Sequence, residues 1–366
     1  MLTGDMLRRS ATRFPDKPAI IFSSSEQRRV LLYRELEAMA NQFAHALLKL
    51  ALPQGSKVGM LSRNLPEYGA VFFGASRTGL VLNNISVLYA PEELAWVLNK
   101  SDTDALIFDV QFADKVAAIR EHCPRIQHFI AIDTNAAPDS PRNALPESLH
   151  DAVNFQDFIA EFASTQTDGT VPAPAVLLHE DDAFCMTYTG GTTGKPKGVL
   201  VSHKARCVTA HTVMVEEAID PRDIVGIVTP LFHVAALNIM FQPAVLAGAT
   251  SVFVTPWSPA AFLQAVEAEG ISAAFMVPTQ ANAIASLPAL DAQALASWNK
   301  LSFAGAPMPD WVQRTLIERL PNLRLTQIYG QSEMGVVAAL PSYLLPEKLG
   351  AVGRQPYNVD VAVLRP

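Results

Sequence analysis

The chain alternates two apolar periods over its first 160 residues. Short continuous runs, AIIF (19–22), KVGML (57–61) and ALIF (105–108), have the length of buried strands. Between them, YRELEAMANQFAHALLKL (33–50) and PEYGAVFFGASRTG (66–79) repeat apolar residues at the spacing of one helix face. PEELAWVLNK (91–100) opens with Pro91 and carries Glu92 and Glu93 in its first turn, where both suit a helix N-terminus. The opening MLTGDMLRRSATRFPDK has no apolar run of signal-peptide length and predicts a short helix stopped at Pro15. This alternation predicts parallel strands with crossover helices. A second alternating block runs to about residue 340. Its helix over 310–320 takes Asp310 as N-cap, Gln313 as capping partner and Pro321 as stop. The tail LGAVGRQPYNVDVAVLRP alternates like a β segment.

Two stretches divide the pattern. Residues 164–182, STQTDGTVPAPAVLLHEDD, read as a linker by their Ser, Thr, Pro and Gly content. Residues 224–266 contain no Asp, Glu, Lys or Arg, yet Pro230, Pro243, Pro256 and Pro259 break the run. Gly226, His233, Asn238, Gln242 and Gly248 interrupt its apolar surface. The pieces predict a strand (IVGIVT), a buried, kinked helix (AALNIMFQPAVLAGA) and a strand (TSVFV), with no membrane span.

Composition narrows the class. At 366 residues the chain exceeds the size at which one core stops growing, so two or more packed units are expected. Hydrophobic content of 49% against 17% charged excludes wholesale disorder, and a net charge of −7 argues against a nucleic-acid surface. Cys123, Cys185 and Cys207 lie far apart and form no metal-ligand spacing, which favours buried free thiols in a reducing cytoplasm.

The densest chemistry is TYTGGTTGKPKGVLVSH (187–203), a glycine- and threonine-rich turn between two predicted strands, AFCMTY and GVLV, with Ser202 capping a following helix. It is not a P-loop: Pro196 follows Lys195, and no glycine stands five before Gly194. G-x-G-x-x-G, H-E-x-x-H and G-x-S-x-G are absent as well, which removes the common dehydrogenase, zinc-protease and serine-hydrolase readings. Such a turn can wrap a polyphosphate: its glycines admit close backbone approach, Thr189, Thr192 and Thr193 offer hydroxyls, and Lys195 and Lys197 supply charge. A surface turn with no ligand has a similar composition. Taken singly, Tyr329 fits a half-buried packing residue, Glu333 a solvated loop carboxylate and His233 a satisfied core histidine.

Together with three later segments, this turn resembles the signature of the adenylate-forming superfamily: acyl- and aryl-CoA synthetases, luciferases and peptide-synthetase adenylation domains. SFAGAPMP (302–309) resembles the family's adenine-pocket strand and turn. QIYGQSEMG (327–335) resembles its tyrosine-glycine-x-x-glutamate motif, and GAVGRQP (350–356) the segment entering its small β-barrel. LLYRELEAMANQFAHAL and PLFHVAALN match further family segments, while Gly190 stands where many members carry serine.

The resemblance implies an α/β fold of two packed mixed/parallel-sheet subdomains, of five-layered αβαβα type, followed by the start of a small β-barrel subdomain. The expected division is residues 1–163, linker 164–182, residues 183–340 with the ATP motifs, and 341–366. It also implies roles. Thr189, Gly190, Gly191, Thr192, Thr193, Gly194, Lys195 and Lys197 would hold the β- and γ-phosphates of ATP. Gly305, Ala306 and Pro307 would line the adenine, Tyr329 would stack on it, and Gly330, Gln331 and Ser332 would complete the nucleotide site. Glu333 would ligate Mg²⁺, and Lys197, Thr192 and Glu333 form the expected catalytic set. His233, Asn238 and Pro278 would line an acid pocket. With His233 where amino-acid-activating relatives carry aspartate, and apolar residues around it, the expected substrate is a fatty or aromatic carboxylic acid rather than an amino acid.

The implied reaction joins the acid to ATP as an acyl-adenylate and passes the acyl group to CoA. Delivery to a carrier protein, or a paralogue that only binds nucleotide, are the alternatives; the interval between Glu333 and Gly350 shows no insertion of the carrier-linked kind. The family's C-terminal lid domain with its lysine, its hinge and its ribose-binding aspartate are not expected within these 366 residues, so slow turnover by this portion alone is anticipated. Small-molecule partners are expected, and a homodimer is compatible with the reading.

Overall fold

The computed structural model describes residues 1–24, 27–133, 145–164, 169–190 and 195–364. The chain opens with strands β1 (Pro18–Ser23) and β2 (Arg28–Leu32). Then follow β3 (Lys57–Leu61), β4 (Val81–Asn84), β5 (Thr103–Asp109), β6 (His128–Ile132), β7 (Val153–Asn154), β8 (Ala183–Thr189) and β9 (Lys197–Ser202). The last are β10 (Ile224–Ile227), β11 (Thr250–Val254), β12 (Ala273–Met276), β13 (Lys300–Phe303), β14 (Arg324–Gln331) and β15 (Gly335–Leu340).

These strands form two sheets. One has seven strands in the order β7-β6-β5-β3-β4-β8-β9, the other eight in the order β15-β14-β13-β12-β10-β11-β1-β2. Each has a parallel centre with helical crossovers. Antiparallel pairing is confined to β8/β9 in the first, and to β14/β15 and β1/β2 in the second. The fold is therefore α/β with mixed, mainly parallel sheets, and among the described residues neither sheet closes into a barrel.

The chain divides into two compact units: Met1–Thr12 with Tyr33–Ala205, and Arg13–Leu32 with Arg206–Pro366. Residues 183–202, expected at the start of the second subdomain, form β8 and β9 of the seven-stranded sheet. AIIF (19–22), expected among the early strands, is placed elsewhere. As part of β1, these residues pair instead with β11 in the eight-stranded sheet, Ile20 opposite Ser251 and Phe22 opposite Phe253.

Within the first unit, helix Tyr33–Lys49 buries Tyr33, Leu36, Ala40, Phe43 and Leu47 on one stripe and packs on helix Pro66–Ala75, which is buried on every side. Gly74 permits this contact, because a Cβ there would lie 2.5 Å from the Ala40 carbonyl oxygen. The seven-stranded sheet has its core around Leu61, Ile85, Leu106, Phe108 and Phe129. The other is built around Val252, Phe262, Trp298, Leu301 and Phe303.

The structure changes three local expectations. Pro309, with φ −56° and ψ 137°, takes the N-cap position before helix Asp310–Arg319, so Asp310 becomes its first residue. Gln313 donates from Nε2 to the Met308 carbonyl at 3.2 Å rather than closing a capping box. Helix 235–249 begins as a π-helical run, Ala235–Phe241, and turns α-helical at Gln242, just before Pro243. The tail forms no strand among described residues 355–364; an isolated bridge between Ala339 and Arg354 is its pairing near that point. Turn-forming Pro356 and exposed Val361, Val363 and Leu364 leave its alternation without a sheet to join. No described helix is long and apolar enough to cross a membrane, and all three cysteines are buried and free.

Candidate functional site

In a parallel sheet the loops leaving the carboxyl ends of the strands share one edge, which is where α/β folds collect ligand-binding residues. In the first unit, β8 runs parallel to β4, with Asn84 opposite Thr187, and antiparallel to β9, with Thr189 opposite Lys197. The glycine- and threonine-rich turn therefore leaves that sheet at its carboxyl edge. Thr189 is half-buried, and Gly190, Lys195 and Lys197 are exposed. Gly191, Thr192, Thr193 and Gly194 lie outside the described residues.

The base of this hairpin is firmly tied. Ser202 Oγ accepts from the Ala205 N–H at 3.3 Å and caps the helix His203–Glu216. The His203 ring stacks on Phe184 at 4.9 Å, and its Nδ1 accepts from the Thr3 N–H at 3.3 Å. Burial pushes the His203 pKa down to about 4, so the ring is neutral at pH 7 with its proton on Nε2. Asn84 accepts from the Tyr68 hydroxyl at 2.6 Å and donates to Cys185 Sγ at 3.0 Å, joining the end of β4 to the body of β8. Higher up, the Tyr188 ring lies across Gly198 of β9, where a Cβ would sit 3.1 Å from Tyr188 Cζ. Trp96 meets Tyr188 edge-on at 6.2 Å, and Lys195 Nζ stands 5.8 Å from the centroid of the Trp96 ring.

In the second unit, β10, β12, β13 and β14 are mutually parallel neighbours, so their carboxyl ends also share an edge. His233 follows β10, Pro278 follows β12, Gly305–Pro307 follow β13, and Tyr329, Gly330 and Gln331 end β14. Residues spread over about a hundred positions thus converge on one edge. Gly305 adopts φ +92°, and Gly305, Ala306 and Pro307 are exposed. Tyr329 is 52% exposed, so its side chain is accessible for stacking. Gly330 is required by a close crossing: a Cβ there would lie 2.1 Å from the Gly335 carbonyl oxygen. Ser332, Glu333 and Met334 form the turn, closed by the Met334 N–H donating to the Gln331 carbonyl at 3.3 Å. Glu333 is exposed and makes no hydrogen bond or ion pair to another described residue.

His233 opens toward solvent, but surrounding protein atoms lower its pKa through desolvation. Its Nδ1 accepts from the Ala235 N–H at 3.1 Å, which leaves Nε2–H as the outward donor of the neutral ring. Asn238, on the π-helical run, is buried, and its Oδ1 accepts from Gln242 Nε2 at 2.7 Å. Pro278 is half-buried at the start of helix Pro278–Ala285.

Some residues at these edges were not singled out from sequence. Gln280 donates from Nε2 to the Val228 carbonyl at 3.1 Å and accepts from the Val277 N–H at 3.2 Å, joining the loops after β10 and β12. Arg63, after β3, pairs with the fully buried Asp109 at the end of β5 at 2.6 Å. Trp96 read only as one apolar position of a helix.

A family model described as AMP-binding enzyme matches residues 7–366. Among curated proteins, the chain is 28% identical over 364 residues to 4-coumarate–CoA ligase CCL1 of Humulus lupulus, covering 97% of this chain and 62% of that protein. It is 28% identical to feruloyl-CoA synthase of Amycolatopsis sp, covering 92% of this chain and 61% of that protein. The chain thus spans about three fifths of the length of these relatives. Among solved structures, the N-terminal domain of FACL13 from Mycobacterium tuberculosis matches with TM-score 0.80 and 25% identity, over 97% of this chain and 82% of that one. The anthranilate CoA ligase AuaEII, at 21% identity over 98% of this chain and 65% of that one, shares the fold with TM-score 0.83.

Proposed function

Because the chain belongs to the AMP-binding enzyme family, we propose that it takes part in ATP-dependent activation of a fatty or aromatic carboxylic acid, forming an acyl-adenylate and then a CoA thioester. The observation that carries this reading is the convergence of His233, Pro278, Gly305–Pro307 and Tyr329–Glu333 on the carboxyl edge of one parallel sheet. The names of the relatives, a 4-coumarate–CoA ligase and a feruloyl-CoA synthase, favour the acid-thiol ligase class.

Each residue then has a task. Thr189, Gly190, Lys195 and Lys197, with Gly191, Thr192, Thr193 and Gly194 between them, hold the β- and γ-phosphates through backbone N–H groups, hydroxyls and ammonium charge. Gly305, Ala306 and Pro307 flank the adenine, and the exposed Tyr329 stacks on it. Gly330 and Gln331 hold the strand end, and Ser332 faces the α-phosphate or the carboxylate. His233, Asn238 and Pro278 line the acid pocket. His233 offers a neutral N–H donor rather than a negative charge, which suits an acid without an ammonium group.

Mg²⁺ takes hard oxygen donors and relies on one or two carboxylates plus substrate phosphates. Glu333, exposed and unpaired among the described residues, fits that donor set. When bound, Mg²⁺ offsets charge on the polyphosphate. In the reaction a carboxylate oxygen attacks the α-phosphorus, the P–O bond to pyrophosphate breaks, and the acyl-adenylate forms. Positioning and charge neutralisation supply most of the rate.

Isothermal titration with Mg·ATP and acid-dependent pyrophosphate release over a panel of carboxylic acids test the reading. Binding of ATP together with release driven by hydrophobic acids is expected; no ATP binding and no release from the full-length protein would overturn it. Formation of acyl-CoA, against accumulation of free acyl-adenylate, separates CoA from a carrier protein as acceptor. A cytoplasmic location accords with the three buried free thiols.

A further inference from the structure

We propose that Trp96 is a positioning residue for Lys195, holding its ammonium in place to meet a polyphosphate; this rests on the reading of residues 189–197 as a phosphate loop. Lys195 is exposed, and its described partner is the Trp96 ring, 5.8 Å from centroid to Nζ. That distance is within the range at which a cation is drawn to an aromatic face. Lys197, two residues on, is exposed and has no such partner among the described residues.

The ring is itself held from below. Trp96 lies on helix Pro91–Lys100, whose Leu94 and Leu98 enter the hydrophobic core of the sheet, while Trp96 meets Tyr188 edge-on at 84°. Tyr188 stands on β8 directly before Thr189, opposite Gly198 of β9, and its ring fills the space a side chain at Gly198 would take. The contacts therefore run from the helix through Trp96 and Tyr188 to both strands of the hairpin, and return through Lys195. A lysine on a free turn must surrender the freedom of four rotatable bonds when a phosphate arrives. One already resting on an indole has surrendered part of it, which raises affinity. For an exposed cation–π contact the expected gain is about two- to fivefold in nucleotide affinity.

The test is a double-mutant cycle in the full-length protein, read by isothermal titration with Mg·ATP and with inorganic pyrophosphate. Trp96→Leu is expected to weaken both ligands about two- to fivefold, and Trp96→Phe is expected to retain most of the affinity. In a Lys195→Ala background, Trp96→Leu is expected to cost nothing further. Equal weakening by Trp96→Leu with and without Lys195 would overturn the proposal, since Trp96 would then act by packing alone. Unchanged affinity in Lys195→Ala itself would overturn the phosphate-loop reading, and this inference with it. Trp96→Met, which keeps apolar bulk and drops the ring, carries the same cycle if the leucine variant does not fold.

Discussion

Each sheet ends in an antiparallel hairpin added to a parallel neighbour, and each hairpin carries a motif at its turn. In the first unit β8 and β9 are joined by seven residues, 190–196; in the second, β14 and β15 are joined by three, 332–334. The short turn is closely packed: a Cβ at Gly330 would lie 2.1 Å from the Gly335 carbonyl oxygen, and one at Gly335, whose φ is +76°, would lie 2.7 Å from Thr209 Oγ1. In the long turn, a Cβ at Gly190 would meet nothing within 4 Å, and the described contacts are made by side chains at its base. The short hairpin turn is crowded at both of its glycines, whereas the long one is open at Gly190. On the proposed function, that division suits a rigid adenine at the short turn and a polyphosphate with many conformers at the long one.

The largest expected effect falls on the short turn. Glu333→Gln is expected to lower acid-dependent pyrophosphate release about 10²-fold or more with the thermal midpoint unchanged; equal rates would remove Glu333 from the site. Gly330→Ala is expected to destabilise by about 2–3 kcal/mol through backbone overpacking, whereas Gly190→Ala stays within about 0.5 kcal/mol. Chemical denaturation of both reads the contrast directly, and equal costs would break it.

Titration gives a third contrast, because one buried group in each unit is shifted in the direction opposite to the other. Burial lifts Glu217, one of whose oxygens has no partner in the second unit, to about 7 from 4.5. The protonated form is favoured in the fold, so its contribution is full below pH 4.5 and is lost as pH rises through about 7. His203 in the first unit is lowered to about 4 from 6.5, so its contribution is full above pH 6.5 and is lost as pH falls through about 4. Hydrogen exchange of β13 amides is expected to speed up between pH 5 and 8 beyond the intrinsic rate, and Glu217→Gln to abolish that excess. Amides of β8 are expected to lose protection toward pH 4. The smallest effect is Gly198→Ala, about 1 kcal/mol, because the Tyr188 ring and Met186 Sδ, both within 3.3 Å of the new methyl, can move aside.

Local periodicity made most elements legible: the runs at 57–61 and 105–108 and the helical patterns at 33–50 and 91–100 became β3, β5 and two helices. What a local pattern cannot carry is the identity of a distant partner. AIIF looked like any buried strand, and nothing in it pointed to β11 as its neighbour. Asp310 is a good cap by type, but Pro309 fixes the backbone one position earlier. At the candidate site, the motif residues were legible because glycine, threonine, lysine and glutamate are unusual in such density. Trp96, Gln280 and Arg63 were not, because their contacts are made across the sheet and an isolated tryptophan, glutamine or arginine carries no spacing signal.

The placement of β1 also bears on synthesis. It leaves the ribosome near the start of the chain, already able to form a hairpin with β2, yet its other edge is completed by β11, about 230 residues later. At ordinary elongation rates that is a wait of roughly 10–50 s. Throughout it Ile20, Ile21 and Phe22 present an apolar edge ready to pair with a stranger. Arg28 and Arg29 guard the opposite, outer strand with charge. A nascent chain stalled before residue 250 therefore displays an unmatched strand edge, the kind of surface that chaperones and quality-control proteases seize.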